Sequence, residues 1–257
     1  MSGTVYLVGA GPGAPDLLTV RAARLLELAD VVFHDALVHP GTLAIAARAR
    51  KIAVGKRCGR HSTAQRFINK RLIDAAARYT TVVRLKGGDP MLFGRAQEEI
   101  AALEAAGIRC EIVPGVTAAL AASAEMRVAL TQRGFARSVA FATPRVGAGE
   151  RPNDWARSIA AADTGAIYMG AGQAREIADA LRTEGVPGST PVAVVENASL
   201  ENARTILVTL SELPSIVGEN LSGPAVLFIG EQYRVCHGAH TQPDAARCEV
   251  IAHRASG

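Results

Sequence analysis

Along the first 113 residues, short apolar runs alternate with stretches whose apolar residues recur every three or four positions. The runs at 5–8, 31–33, 52–54, 82–85 and 110–113 are short and rich in β-branched residues, which predicts strands. Between them, 17–29 and 42–50 have helical spacing, as does a segment carrying Ile68, Leu72 and Ala75 or Ala76 on one face. Ser62 with Gln65 forms a capping box ahead of that segment, and a further helix is expected from about Gly94, with Ile100, Leu103 and Ile108 on its apolar side. Strands separated by helices give the rhythm of a mostly parallel sheet. Pro114 and Gly115 interrupt it and mark the expected hinge. The chain resumes with a helix of small residues, VTAALAASA, strands at 138–143, 166–169, 192–196, 205–210 and 225–229, and a helix over 173–183. The expected fold class is α/β in two domains, 1–113 and 116–235, each a mostly parallel or mixed sheet flanked by helices. Residues 144–153, rich in glycine and proline, read as a mobile loop, and 236–257, without sustained apolar periodicity, as a disordered or loosely docked tail.

Composition narrows the function classes. No run approaches the ~20 apolar residues of a membrane span, and the N-terminus lacks the basic region and cleavage site of a signal peptide, so a cytoplasmic protein is expected. Cys58, Cys110, Cys236 and Cys248 lie far apart with no CxxC pair, which indicates free thiols rather than a zinc site or disulfide framework. The net charge of +4 is unevenly shared: residues 1–115 hold 16 Lys and Arg against 10 Asp and Glu, and the remainder holds 12 against 14. That asymmetry points to an anionic partner for the first half. The basic residues are scattered, aromatics make up 4% and no nucleic-acid motif is present, which favours a polycarboxylate or phosphate ligand over nucleic acid. Two domains of this size fill the 257 residues, so no fused dehydrogenase or chelatase domain is expected among them.

The chemistry is concentrated in residues 82–99, VVRLKGGDPMLFGRAQEE. Gly87 and Gly88 allow a sharp turn after a strand, Asp89 stands at the strand's carboxyl end, and Pro90 stops its continuation. Open α/β sheets place ligand crevices at that edge, although turn chemistry alone uses the same residues. Arg95, Glu98 and Glu99 crowd the next helix's first turn. Near the N-terminus, Gly9, Gly11 and Ala14 fit the dinucleotide fingerprint, which makes a nucleotide-linked dehydrogenase the first rival. Pro12 and Pro15 remove backbone donors there, so the loop better suits a ligand without phosphates. By residue type alone, Asp35 past a strand reads as a turn or cap, Lys56 beside Arg57 as a solvated face, and Met169 as a core methionine.

LKGGDPMLFGRAQEE resembles the LKGGDPFIFGRGGEE signature of the uroporphyrinogen-III C-methyltransferases, in the tetrapyrrole methylase superfamily. In chain order, VGAGPG is similar to that family's usual opening, FHDALV to its YDRLV, VGKRCGRH to VGKRxGxH, PGVTAA to PGITAA, LTQR to LTHR, YMG to YMG and VENAS to VENGT. The matches run over roughly residues 4–230. The resemblance implies the two-domain tetrapyrrole methylase fold and a homodimer. It also implies methylation of uroporphyrinogen III at C2 and C7 by S-adenosyl-L-methionine, without a metal, giving precorrin-2 by way of precorrin-1 for siroheme- or cobalamin-type tetrapyrroles and S-adenosyl-L-homocysteine as coproduct. Carried over, Pro12, Gly87, Gly88, Asp89 and Leu92, then Thr117, Ala118, Met169 and Ala198, face the cofactor. Asp35, Lys56 and Glu98 become the catalytic candidates. Arg95, Arg133 and Met169 become the substrate-side ones, with Arg57 and Arg60 as further cations and His61 also within a motif. Three departures fall on the presumed substrate side: Ala96-Gln97 for Gly-Gly, Gln132 for the His of LTHR, and Thr143-Pro144-Arg145 for TGH. A sister precorrin or diphthine-type methyltransferase and a non-catalytic small-molecule-binding homologue are the alternatives.

Overall fold

The computed structural model describes residues 2–54, 65–147, 151, 153–217 and 221–234. The chain forms two compact units, one of Met1–Glu125 with Asn197–Ala203, the other of Met126–Glu196 with Arg204–Gly257. Pro114 and Gly115 thus lie inside the first unit. The tail beyond 235, Lys56, Arg57, Cys58, Arg60, His61 and the capping Ser62 lie outside the described residues.

In the first unit, β1 (Thr4–Gly9), β2 (Val31–His34), β3 (Arg50–Ala53), β4 (Thr81–Lys86) and β5 (Cys110–Val113) form a sheet in the order β3-β2-β4-β1-β5. Every pairing is parallel. Val8, Val32, Val83 and Leu85 pack with Ala22 and Leu26 of α1 (Val20–Leu28) and with Ala46, just past α2 (Pro40–Ile45). Val5, Leu7, Val31, Phe33 and Val82 meet α3 (Gln65–Ala76) and α4 (Ala96–Ala105) on the other face. Ala96, Ile100 and Leu103 are buried at i, i+4 and i+7, the spacing that makes α4 an amphipathic helix. Strand alternation places Arg84 and Lys86 on the same face as Val82, beneath α4.

Two helices begin later or end sooner than the periodicity suggests. The Thr19 hydroxyl accepts the Ala22 N–H at 3.2 Å and starts α1 at Val20, while Pro15–Leu17 make a separate 3₁₀ turn. α2 starts on Pro40 after His39, whose ring nitrogen accepts the Gly41 N–H, and it stops at Ile45 so that Arg50 can pair with Val31. The helix of small residues, α5 (Ala118–Met126), buries Ala119, Ala121, Ala122 and Ser123.

The second unit has β6 (Val139–Ala142), β7 (Thr164–Tyr168), β8 (Pro191–Glu196), β9 (Arg204–Thr209) and β10 (Ala225–Ile229) in the order β6-β7-β10-β8-β9. Only β6 and β7 run parallel, so the sheet is mixed. Its core takes Ala174, Ile177, Ala178 and Leu181 of α7 (Ala174–Thr183), again at helical spacing. Two helices that periodicity does not reveal, α6 (Trp155–Ala160) and α8 (Leu213–Val217), are too short to complete two turns. Among the described residues, no helix is long and apolar enough to cross a membrane.

Candidate functional site

β1 and β4 lie side by side, yet the chain leaves β1 toward α1 on one face and leaves β4 toward α4 on the other. Their carboxyl ends therefore mark a switch point, the position at which open α/β sheets place ligand sites. Backbone bonds tie the loops there. The Ala10 N–H donates to Lys86 O at 2.7 Å, and Gly88 and Gly11 exchange N–H···O bonds of 2.7 and 3.3 Å. Asp89 ties in the loop after β5: one carboxylate oxygen accepts the Met91 N–H and the other the Gly115 N–H, both at 2.8 Å. The Leu92 N–H returns to Asp89 O at 3.3 Å. Asp89 thus acts on the backbone through both oxygens, and its neighbours Gly87, Gly88 and Leu92 share the bonded turn.

Two glycines differ in why they are needed. Gly88 has φ +66°, and a Cβ there would meet Thr117 Cα only at an ordinary 3.9 Å, so its need is conformational. Gly115 is needed for space, since a Cβ on it would strike Gly88 O, and one on the facing Gly9 would lie 2.6 Å from Gly115 Cα. Gly88→Ala is expected to cost about 1–2 kcal/mol, the left-handed penalty. Gly115→Ala, which must push facing backbones apart, is expected to cost more. Urea midpoints of the two variants check that order, and equal midpoints would contradict it.

The segment after β8 returns to this loop cluster. Ser199 Oγ accepts the Ala14 N–H at 2.9 Å, and Glu125 of α5 accepts the Ser199 N–H at 2.6 Å. A Cβ on Gly13 would press on Leu200 at 2.8 Å, so this segment packs against the Pro12 loop. Pro12, Gly87, Gly88, Asp89, Leu92, Thr117, Ala118 and Ala198 are thereby gathered around one set of bonded loops in the first unit. Sequence reasoning did not foresee Glu125 and Ser199 as the ties.

Beside the loops lies a buried ionic cluster. Glu99 is 0% exposed and accepts from Gln65 Nε2 at 3.0 Å, Arg84 Nε at 3.1 Å and Lys86 Nζ at 2.9 Å. Arg84 also donates from Nη1 to Leu85 O at 3.1 Å and from Nη2 to Asp35 Oδ1 at 2.6 Å. Burial holds the Lys86 ammonium below the ordinary lysine range, and Arg84 beside it pushes the same way against the pull of Glu99. Asp35, whose side chain is 30% exposed, is the member that reaches outward. Of the cluster, Asp35 is the member to which the resemblance gives a catalytic role, while Lys86 and Glu99 lie within the matched signature without one. The available signal was two cations spaced i, i+2 in an apolar strand, with a glutamate between the apolar positions of the next helix.

Arg95 and Glu98, expected in separate roles, form one ion pair: Nε to Oε1 at 2.6 Å and Nη2 to Oε2 at 2.8 Å. The Arg95 hydrogen bond holds Glu98 below the usual carboxylate range. Arg95 itself stands at φ +56° as the residue opening α4. In the second unit, Met169 follows β7 at φ +56° and is 43% exposed, so it is no core methionine. Arg133 is exposed in a tight turn closed by Gln132 and Ala136. A cavity of about 390 Å³ in that unit, lined by Phe135, Ile159, Val186 and Ile229 among others, sits at the sheet edge opposite Met169 and holds none of these candidates.

Cys110 of β5 is the free cysteine among the described residues, and burial, helped by Glu99, Glu104 and Glu111, pushes its thiol up to about 11. Native protein at pH 8 is therefore expected to leave Cys110 unmodified by iodoacetamide, and unfolded protein to lose that protection. Peptide mass spectrometry reads the site, and rapid native labelling would contradict the burial.

Residues 4–214 match the family model of the tetrapyrrole (corrin/porphyrin) methylases. A siroheme synthase of Chromobacterium violaceum is 44% identical over 232 residues, which are 90% of this chain and 49% of that protein. A siroheme synthase of Azotobacter vinelandii is 44% identical over 91% of this chain and 51% of its own length. The chain spans about half the length of these curated relatives. Among solved structures, a uroporphyrin-III C-methyl transferase from Thermus thermophilus complexed with S-adenosylhomocysteine is 39% identical, with a TM-score of 0.80, over 91% of this chain and 100% of that one. A cobalt precorrin-4 methyltransferase is 28% identical with a TM-score of 0.77, over 89% of this chain and 95% of that one. With residues 4–214 matched by the family model and the fold shared with the Thermus thermophilus structure at a TM-score of 0.80, the chain belongs to the tetrapyrrole methylase family.

Proposed function

We propose that this chain transfers methyl groups from S-adenosylmethionine to uroporphyrinogen III at C2 and C7, giving precorrin-2 by way of precorrin-1 and S-adenosylhomocysteine. The observation that carries this reading is the likeness to the Thermus thermophilus methyl transferase over that protein's whole length. The loop cluster fits the donor chemically. It offers small residues and backbone groups, no phosphate-binding row of N–H donors because of Pro12, and a crevice position at the carboxyl ends of β1 and β4. Pro12, Gly87, Gly88, Asp89, Leu92, Thr117, Ala118, Met169 and Ala198 would hold the donor, which supplies an electrophilic methyl on its sulfonium.

Transfer to a ring carbon leaves a proton to be removed, and Asp35 is the candidate base. Glu98 is the weaker base, because its bond to Arg95 favours the ionised form. Lys56 is the candidate proton donor. Arg95, Arg133 and Met169 would meet the substrate, whose ring of carboxylates suits guanidinium partners. Location in the cytoplasm and assembly as a homodimer belong to the same reading.

Calorimetric titration tests donor binding: S-adenosylhomocysteine is expected to bind and NAD⁺ to give no heat, and the reverse would restore the dehydrogenase rival. Arg95→Ala is expected to raise the KM for uroporphyrinogen III at least about tenfold, the scale of a lost charge-assisted pair, while barely changing the Kd of S-adenosylhomocysteine. Loss of donor affinity with KM unchanged would remove Arg95 from the substrate side.

A further inference from the structure

We propose that Arg84 is a positioning residue that orients Asp35, and that Glu99 and Lys86 lock Arg84 for that task. The proposal deepens the reading of Asp35 as the base and rests on it. Arg84 spends its fork on three acceptors from three places in the fold: Glu99 on α4, Leu85 O on its own strand, and Asp35 beyond β2. A planar guanidinium held at Nε and Nη1 has no freedom left at Nη2, so Asp35 Oδ1 is fixed where Nη2 points. Glu99 is locked in turn, since one oxygen accepts from both Gln65 and Arg84 and the other from Lys86.

Burial shows that this is more than packing. Arg84 and Lys86 are each 3% exposed and Glu99 0%, on a face that Val82 fills with an apolar side chain one strand repeat earlier. Apolar residues of similar volume would fill such positions at no electrostatic cost, whereas a buried ion cluster offsets its own desolvation only with good geometry. Among the charged members of the cluster, Asp35 is the one that opens to solvent, at the sheet edge that carries the glycine loops. Lysine at position 84 would keep the charge and lose the fork.

The test uses the whole chain in four forms: unaltered, Arg84→Lys, Asp35→Ala, and the double variant. For each, kcat and KM with uroporphyrinogen III and the Kd of S-adenosylhomocysteine are measured. Arg84→Lys is expected to lower kcat roughly 10- to 100-fold, the cost of a misplaced catalytic group, leaving KM and Kd within about threefold. In the Asp35→Ala background the same change is expected to cost less than about twofold, because Arg84 then has nothing to position. An equal loss in both backgrounds, or undiminished kcat in Arg84→Lys, overturns the proposal while leaving Asp35 as the base. Full turnover in Asp35→Ala overturns the base reading itself, and the positioning role with it. Should Arg84→Lys fail to bind S-adenosylhomocysteine or fail to fold, Glu99→Gln replaces it in the same cycle, with the same non-additivity supporting the proposal and additivity overturning it.

Discussion

Asp35→Ala is expected to lower kcat roughly 10²- to 10⁴-fold, the range contributed by a positioned base, without weakening S-adenosylhomocysteine binding. The Asp35 carboxylate bonds to Arg84 Nη2 at 2.6 Å and its backbone N–H to Leu85 O at 3.3 Å, whereas the glycine loops are held by backbone bonds and by Asp89. Removing the carboxylate therefore leaves the loop cluster's backbone bonds in place and removes only a partly exposed acceptor at the sheet edge. Single-turnover kinetics separates the chemical step from product release. Unchanged single-turnover rates would take Asp35 out of the reaction, and a matching loss of donor affinity would make it a structural residue.

Glu99→Ala is expected to destabilise the fold by about 3–5 kcal/mol, the cost of leaving buried charge unpaired. Arg84 and Lys86 would then face each other beneath α4 with no anion between them; Gln65 would lose one of its acceptors. The deficit carries a pH signature. Lys86 already holds its proton less tightly in the native state than a solvated lysine does, with Glu99 pulling the other way. Without Glu99 its native pKa falls further, so the unfolded chain binds more protons than the folded one over a wider range, and stability rises with pH there. The gap between the variant and the unaltered protein is thus expected to narrow from pH 7 to pH 9 in urea titrations. A constant gap would show that Lys86 keeps its proton, and a gap under about 1 kcal/mol would place the cluster among surface pairs.

Much of this architecture was legible in the residues. β10 falls where its apolar run ends, because a buried strand cannot extend past its apolar residues, and β5 spans Cys110–Val113 as expected although Val113 is its one buried residue. Ile68 and Leu72 face the core of α3 as their spacing demands. What was missed has physical reasons. The one-and-a-half-turn helices α6 and α8 are too brief to show a period. The return of 197–203 to the first unit depends on Ser199 reaching Ala14, a bond across 185 positions that no local pattern encodes. The site divides similarly. Gly88 and Asp89 announced a turn at a strand's carboxyl end, and the bonds to Gly11 and Gly115 account for both. Glu99 gave no such sign, since a glutamate in a helix's first turn ordinarily faces solvent and favours the helix dipole. Its burial follows from Arg84 and Lys86 lying under α4, a fact of tertiary packing. Arg95 and Glu98 were separately plausible, and only their geometry makes them partners.

Methyl transfer is tested most directly by an anaerobic incubation of the chain with uroporphyrinogen III and methyl-labelled S-adenosylmethionine, read by mass spectrometry of the tetrapyrrole. A tetrapyrrole carrying two added labelled methyl groups is expected, with a transient species carrying one and one S-adenosylhomocysteine for each methyl transferred. Donor that binds yet leaves uroporphyrinogen III unmethylated would contradict this expectation, and would make Ala96-Gln97, Gln132 and Thr143-Pro144-Arg145 the marks of a different tetrapyrrole substrate.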